Sequence, residues 1–198
     1  IISLILNICN GKQLIVLPPA LVNQWIDILN KVLPDLNVYQ WLGKNRLDKK
    51  EDLDKLDDYQ IIITTYGLTY KKGENYETLL NEIMFDRIIL DEGHLCSNRS
   101  SKRWKGVNSL KSRSKWILTG TPIQNSKNDF YSLCDQIGIN SKYYTNPNNL
   151  YDIVINFILK RTKEDINLKL PKLIIQEVKV QWETEQEKIL SKEIHSVL

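Results

Sequence analysis

Two rhythms of apolar and polar residues alternate along this chain. Short unbroken apolar runs, QLIVLP (13–18), QIIITTY (60–66), RIIL (87–90) and KWILT (115–119), predict strands covered on both faces. NVYQW (37–41) predicts one more. Between the strands the apolar residues recur at helical spacing. Leu21, Trp25, Ile28, Leu29 and Val32 place a helix over 20–33. Trp104, Val107 and Leu110 place one over 101–111, and Phe130, Leu133, Cys134 and Ile137 one over 127–137. Further helices are expected at 1–8, where Asn10-Gly11 ends an apolar segment, at 76–84, and as a short charged surface piece within 43–58.

Strands alternating with helices imply βαβ units. The expected fold class is therefore α/β, a parallel sheet with helices on both faces. After Asn140 the rhythm changes. SKYYTNPNN (141–149) predicts a loop, 151–159 a helix, RTKEDINLKLPK (161–172) a polar stretch, and IIQEVKVQW (174–182) a strand leaving the first domain. Thr184 opens a last helix, with Glu187 completing a capping box. The expected division is one domain over 1–140 and a helical and strand extension over 141–198.

Composition changes little in this picture. The chain has 198 residues, 42% hydrophobic and 26% charged, as in an ordinary globular protein. No apolar run approaches the length of a membrane span. The formal net charge of +3 permits nucleic-acid binding without arguing for it. The three cysteines, Cys9, Cys96 and Cys134, form no CxxC pair, and only His94 and His195 could join them, so reduced thiols are expected rather than a zinc site. The chain begins IISLILNICNGK, with neither an initiator Met nor the basic start of a secretory leader, which predicts a fragment of a longer protein.

Candidate chemistry gathers where predicted strands end. RIILDEGH carries a strand straight into Asp91 and Glu92, at the carboxyl end where open parallel sheets bind ligands. Adjacent carboxylates there suit a magnesium ligand and a group that orients an attacking water. Another strand end carries LTGTPIQN, in which Thr119 and Thr121 bracket Gly120 and Pro122 prevents the strand from continuing. ITTYG (63–67) puts two hydroxyls and an aromatic ring on a third end. LPPAL (17–21) leads a fourth into a helix start, whose free N–H groups suit a phosphate. Such a rim can follow a nucleic-acid backbone without reading bases.

In order and spacing, LIVLPPALVNQW, IIITTYG, RIILDEGH and WILTGTPIQN resemble the first RecA-like lobe of the Swi/Snf-type ATPases, the helicase-like DNA translocases of superfamily two. FILKRTKEDI followed by LPK (157–172) is similar to the segment that leaves that lobe, so the resemblance runs from about Lys12 to Leu190. The DEGH spelling and PPALVNQW are more similar to the branch associated with DNA-damage tolerance, repair and transcription termination. The resemblance implies a RecA-like nucleotide-binding lobe that uses ATP and Mg2+, acts on double-stranded DNA alongside chromatin or repair proteins, and works with a second RecA-like lobe. It implies that Asp91 binds magnesium through water and that Glu92 polarises the attacking water. His94 with Thr119, Gly120 and Thr121 would couple nucleotide state to DNA grip, and Pro18, Pro19, Thr64, Thr65 and Tyr66 would lie near the DNA backbone. Gln124 and Asn125 match the motif without an evident physical role. A nuclear protein, or one from a large DNA virus, fits.

Cys96 and Ser97 stand where the family usually has an aliphatic and a basic residue, and 140–151 is shorter than in many relatives. The chain contains no G-x-x-x-x-G-K-[ST], so the phosphate loop that the family places before the helix beginning IISLIL is missing, as are the arginine fingers of the second lobe. The expectation is thus a lobe of a DNA-translocating ATPase, inactive by itself. Two other readings stay open: a non-catalytic DNA- or protein-docking module, and an RNA-directed helicase of the same superfamily.

Overall fold

The structure, a computed structural model, describes residues 11–47, 49–71, 77–162, 165, 174–176, 178 and 184–195. Five parallel strands form its sheet: β1 (Gln13–Leu17), β2 (Val38–Gln40), β3 (Ile61–Thr65), β4 (Met84–Asp91) and β5 (Lys111–Leu118). Their order across the sheet is β2-β3-β1-β4-β5. The chain builds β2 and β3 on one side of β1, then crosses to the other side for β4 and β5. This reversal beside β1 opens a crevice at the carboxyl ends of the strands.

Alternation along the strands divides the apolar residues between two layers. Ile15, Leu17, Ile61, Ile63 and Ile89 face α1 (Val22–Val32) and pack on Val22, Trp25 and Leu29. Leu14, Val16, Ile62, Ile88 and Leu90 face the other way. That second layer is closed by Val107 and Leu110, at and just beyond the end of α2 (Lys102–Ser109), together with Leu56, Leu79, Leu80 and Cys96 from short 3-10 turns. Burying each such side chain is worth about 1.5–3 kcal/mol.

A third, smaller cluster joins Cys134 on α3 (Lys127–Gln136), Ile139, Tyr144 on α4 (Ser141–Tyr144) and Ile153 on α5 (Leu150–Phe157). Contacts divide the chain into Ile1–Phe157 and Ile158–Leu198. In the second unit α6 (Glu185–His195) begins with the expected capping box: Thr184 N–H donates to Glu187 Oε2 at 3.3 Å, and Glu187 N–H to Thr184 Oγ1 at 3.3 Å.

Two expectations need correction. Residues 79–82 form a 3-10 turn and the strand already starts at Met84, so no helix spans 76–84. The Thr78–Asn81 capping box starts a turn that the strand cuts short. The short surface helix expected within 43–58 is present as the 3-10 helix Lys50–Leu56, preceded by a 3-10 turn at Gly43–Asn45. SKYYTNPNN is not a loop: Asn140 and Asn146 accept N–H bonds that start α4 and a 3-10 turn. The expected helix at 1–8 and most of the expected strand at 174–182 lie outside the described residues. Among the described residues, no helix is long and apolar enough to cross a membrane.

Candidate functional site

Strand register sets the candidate residues on one rim. Leu17 pairs with Thr65, Val16 with Leu90, and Asp91 with Leu118. The turns that begin at Pro18, Tyr66, Glu92 and Thr119 therefore leave the sheet at nearly the same level. Asp91 and Glu92 sit between the turn after β1 and the turn after β5.

Asp91 is the last residue of β4, and only 9% of it is exposed. Its Oδ2 accepts the indole N–H of Trp25 at 2.7 Å, and its Oδ1 accepts the Glu92 N–H at 3.1 Å. A carboxylate offers about four lone-pair sites, so two remain free, which suits a hold on magnesium through water. Hard oxygen ligands of this kind fit that cation. Among the described residues the phosphate cradle has no counterpart.

The backbone of Glu92 is left-handed, with φ 51° and ψ 46°, the one such non-glycine residue described. This turn takes its side chain out of the strand's alternation and leaves it 44% exposed. The position is over-determined by Gly93. A Cβ there would come within 2.3 Å of Ile117 Cγ2, so only glycine allows the turn to lie against β5.

His94 connects two motifs. Its Nδ1 lies 3.3 Å from Glu92 Oε2 and 3.0 Å from Thr119 Oγ1. Thr119 Oγ1 also accepts the Thr121 N–H at 3.1 Å, which folds the loop back on itself. The side chain of Thr121 is exposed. Gly120 stands in open space without a left-handed backbone, so nothing in the structure demands glycine there.

Gln124 and Asn125 gain a physical account. Their N–H groups and that of Ser126 all donate to Asp129 Oδ2, at 3.2, 2.8 and 3.2 Å. The motif is thereby fastened to the first turn of α3. The N–H groups of Asn125 and then Ser126 hold the Asp129 carboxyl below the usual carboxylate range.

Two of the residues expected near DNA have their side chains turned inward. Thr64 is fully buried and its hydroxyl donates to Trp41 O at 3.1 Å. Tyr66 is 3% exposed, its hydroxyl donates to the carbonyl of Asp91 at 2.7 Å, and burial pushes its pKa far up. Their side chains shape the rim from within instead of facing a ligand. Pro19 is exposed and Pro18 half-buried, while Thr65 is 9% exposed. Cys96, the departure after the acid pair, is fully buried in the main core, where burial pushes its thiol up to about 12.

The sequence reading missed Trp25 as part of the site. Helical period placed it on the buried face of α1, but period says nothing about the indole N–H. A buried indole needs an acceptor, and that need was the available signal.

The SNF2-related domain model matches residues 6–142. The chain belongs to the SNF2-related family. It is 39% identical over 124 residues to the human helicase-like transcription factor, a match covering 61% of this chain and 12% of that protein. It is 42% identical over 123 residues to the DNA repair protein RAD5 of Kluyveromyces lactis, covering 61% and 11%. The SNF2-related chain thus spans about an eighth of the length of these relatives. Two solved structures share its fold. The Sulfolobus solfataricus SWI2/SNF2 ATPase core in complex with dsDNA has a TM-score of 0.63 at 27% identity, over 79% of this chain and 35% of that one. The same core domain alone has a TM-score of 0.59 at 27% identity, over 93% and 40%. The parallel sheet is therefore the RecA-like lobe of an SNF2 ATPase core.

Proposed function

We propose that this lobe belongs to an ATP-dependent translocase of double-stranded DNA acting in chromatin remodelling or repair. The observation that carries the reading is the contact of His94 Nδ1 with both Glu92 Oε2 and Thr119 Oγ1. In a simple nucleotidase the acid pair would need no such link to the next strand's loop.

Magnesium-ATP supplies the phosphoryl group and the charge that steadies the leaving oxygen. Asp91 would hold the magnesium through water with the lone-pair sites that Trp25 and Glu92 leave open. Glu92, half-exposed on its left-handed turn, would accept a hydrogen bond from the attacking water and set its line of approach. A proton on His94 Nδ1 bonds well to Glu92 or to Thr119, but not strongly to both at once. The choice between them links the acid pair to the loop that Asp129 fastens to α3. An element with different contacts in each of two states is what coupling requires. Pro18 and Pro19 supply the face toward the DNA backbone, with Thr65 at the end of β3 beneath it. Relatives named for DNA repair and chromatin regulation favour a nuclear protein.

The rival reading is a docking module without catalysis. Glu92→Gln in the full-length protein separates the two. As an ATPase, the variant keeps nucleotide binding and loses most DNA-stimulated turnover, by a factor of about 10²–10⁴. Wild-type turnover in the variant would favour the docking module.

A further inference from the structure

Asp91 is gripped from two directions by residues that do not themselves face the site. Trp25 on α1 donates its indole N–H to Oδ2 at 2.7 Å, and Tyr66 donates its hydroxyl to the Asp91 carbonyl at 2.7 Å. Both side chains are almost fully buried, 1% and 3% exposed. Phenylalanine would serve packing alone at either position, yet each side chain aims its polar atom at the same residue.

The origins of the two donors matter. Val22, where α1 begins, directly follows the 3-10 turn Pro19–Leu21 after β1, so Trp25 moves with the turn that carries Pro18 and Pro19. Tyr66 directly follows Thr65 at the end of β3. The loops at the ends of two strands on one side of the acid pair therefore converge on Asp91. A hydrogen bond is short-ranged: a shift of about 1 Å in α1 would lengthen the Trp25 contact beyond bonding distance. Oδ1 would then keep its Glu92 N–H while Oδ2 lost its partner, and the carboxylate could turn.

We propose that Trp25 and Tyr66 are positioning residues that orient Asp91 for magnesium and carry the state of the DNA-facing loops after β1 and β3 into the nucleotide site. The proposal rests on the functional reading above. It adds a second route from DNA to the acid pair, from β1 and β3 on the flank of β4 away from β5 and its Thr119 loop.

The test uses the full-length protein. Trp25→Phe keeps an aromatic ring and removes the donor; Tyr66→Phe removes a single oxygen. Binding of a fluorescent ATP analogue is followed by anisotropy as magnesium is titrated, with and without duplex DNA. Partners behind a metal ligand are typically worth about 10–100-fold in metal affinity. The magnesium midpoint of Trp25→Phe is therefore expected to rise by about that factor, and DNA to lose its effect on it. Trp25→Phe combined with Asp91→Asn should be no worse than Asp91→Asn alone, because both act on one contact. A wild-type magnesium midpoint and DNA response in Trp25→Phe would overturn the proposal, as would losses that add to those of Asp91→Asn. Should Trp25→Phe not fold, Tyr66→Phe carries the same two outcomes. Failure of the functional reading looks different: the wild-type protein would show no DNA-stimulated ATPase, whatever the magnesium midpoint of the variants.

Discussion

At the scale of single residues, the site stores strain where its chemistry is placed. A non-glycine residue in the left-handed region costs about 1–2 kcal/mol, and Glu92 is held there by the fit of Gly93 against Ile117. Glu92→Gly should therefore be more stable than Glu92→Gln, by about 1 kcal/mol after the extra chain entropy of glycine. Both variants lack the carboxylate and neither should turn over ATP. Chemical denaturation of the two proteins checks this; a glycine variant less stable than the glutamine one would mean that the turn is unstrained. The acid pair itself was legible, because carboxylates directly after an unbroken apolar run stand out. The inward bonds of Thr64 and Tyr66 were not, because a hydroxyl at a strand end reads the same whether it faces out or in.

Among the elements, the strands were the most legible, since a run such as LIVL admits few other structures. β5 was read too short because its first half, KSRS (111–114), is polar. As an edge strand with β4 its one partner among the described residues, it can afford exposed Lys and Arg. The helix expected at 76–84 failed for the opposite reason: apolar residues at helical spacing also fit a short turn leading into a strand. The start of α3 carries a pH prediction. Asp129 has its folded pKa lowered by the N–H groups it accepts. Its stabilising contribution is then fully present above the unfolded value of about 3.9 and is lost as pH falls through the lower folded value. Asp129→Asn should melt below wild type by a constant margin at neutral and mildly acidic pH, and the margin should shrink in strong acid. A margin that persists unchanged there would show that the charge of Asp129 plays no part.

For the whole molecule, the fold class and the rim of motifs were readable because order and spacing survive in a linear chain. The small cluster around Tyr144 and Ile153 was not legible, because its members come from three short helices and the turns between them. The 198 residues lack a phosphate loop and the arginine fingers of a second lobe, and fingers alone are worth roughly 10³–10⁵ in rate. The isolated chain should show no DNA-stimulated ATPase above its Glu92→Gln counterpart, while supplying the remaining core in one polypeptide should restore it. Activity in the isolated chain would mean that the lobe cradles phosphate by other means. The all-parallel sheet also bears on the protein's birth. Among the described residues both neighbours of β1, β3 and β4, are made later than β1, and the last strand ends at Leu118. At about 5–20 residues per second on the ribosome, the sticky run QLIVL waits roughly 5–20 s for the sheet to be complete. During that interval the run has no strand partner to cover it, and slowing translation between β1 and β5 should lower the yield of folded protein.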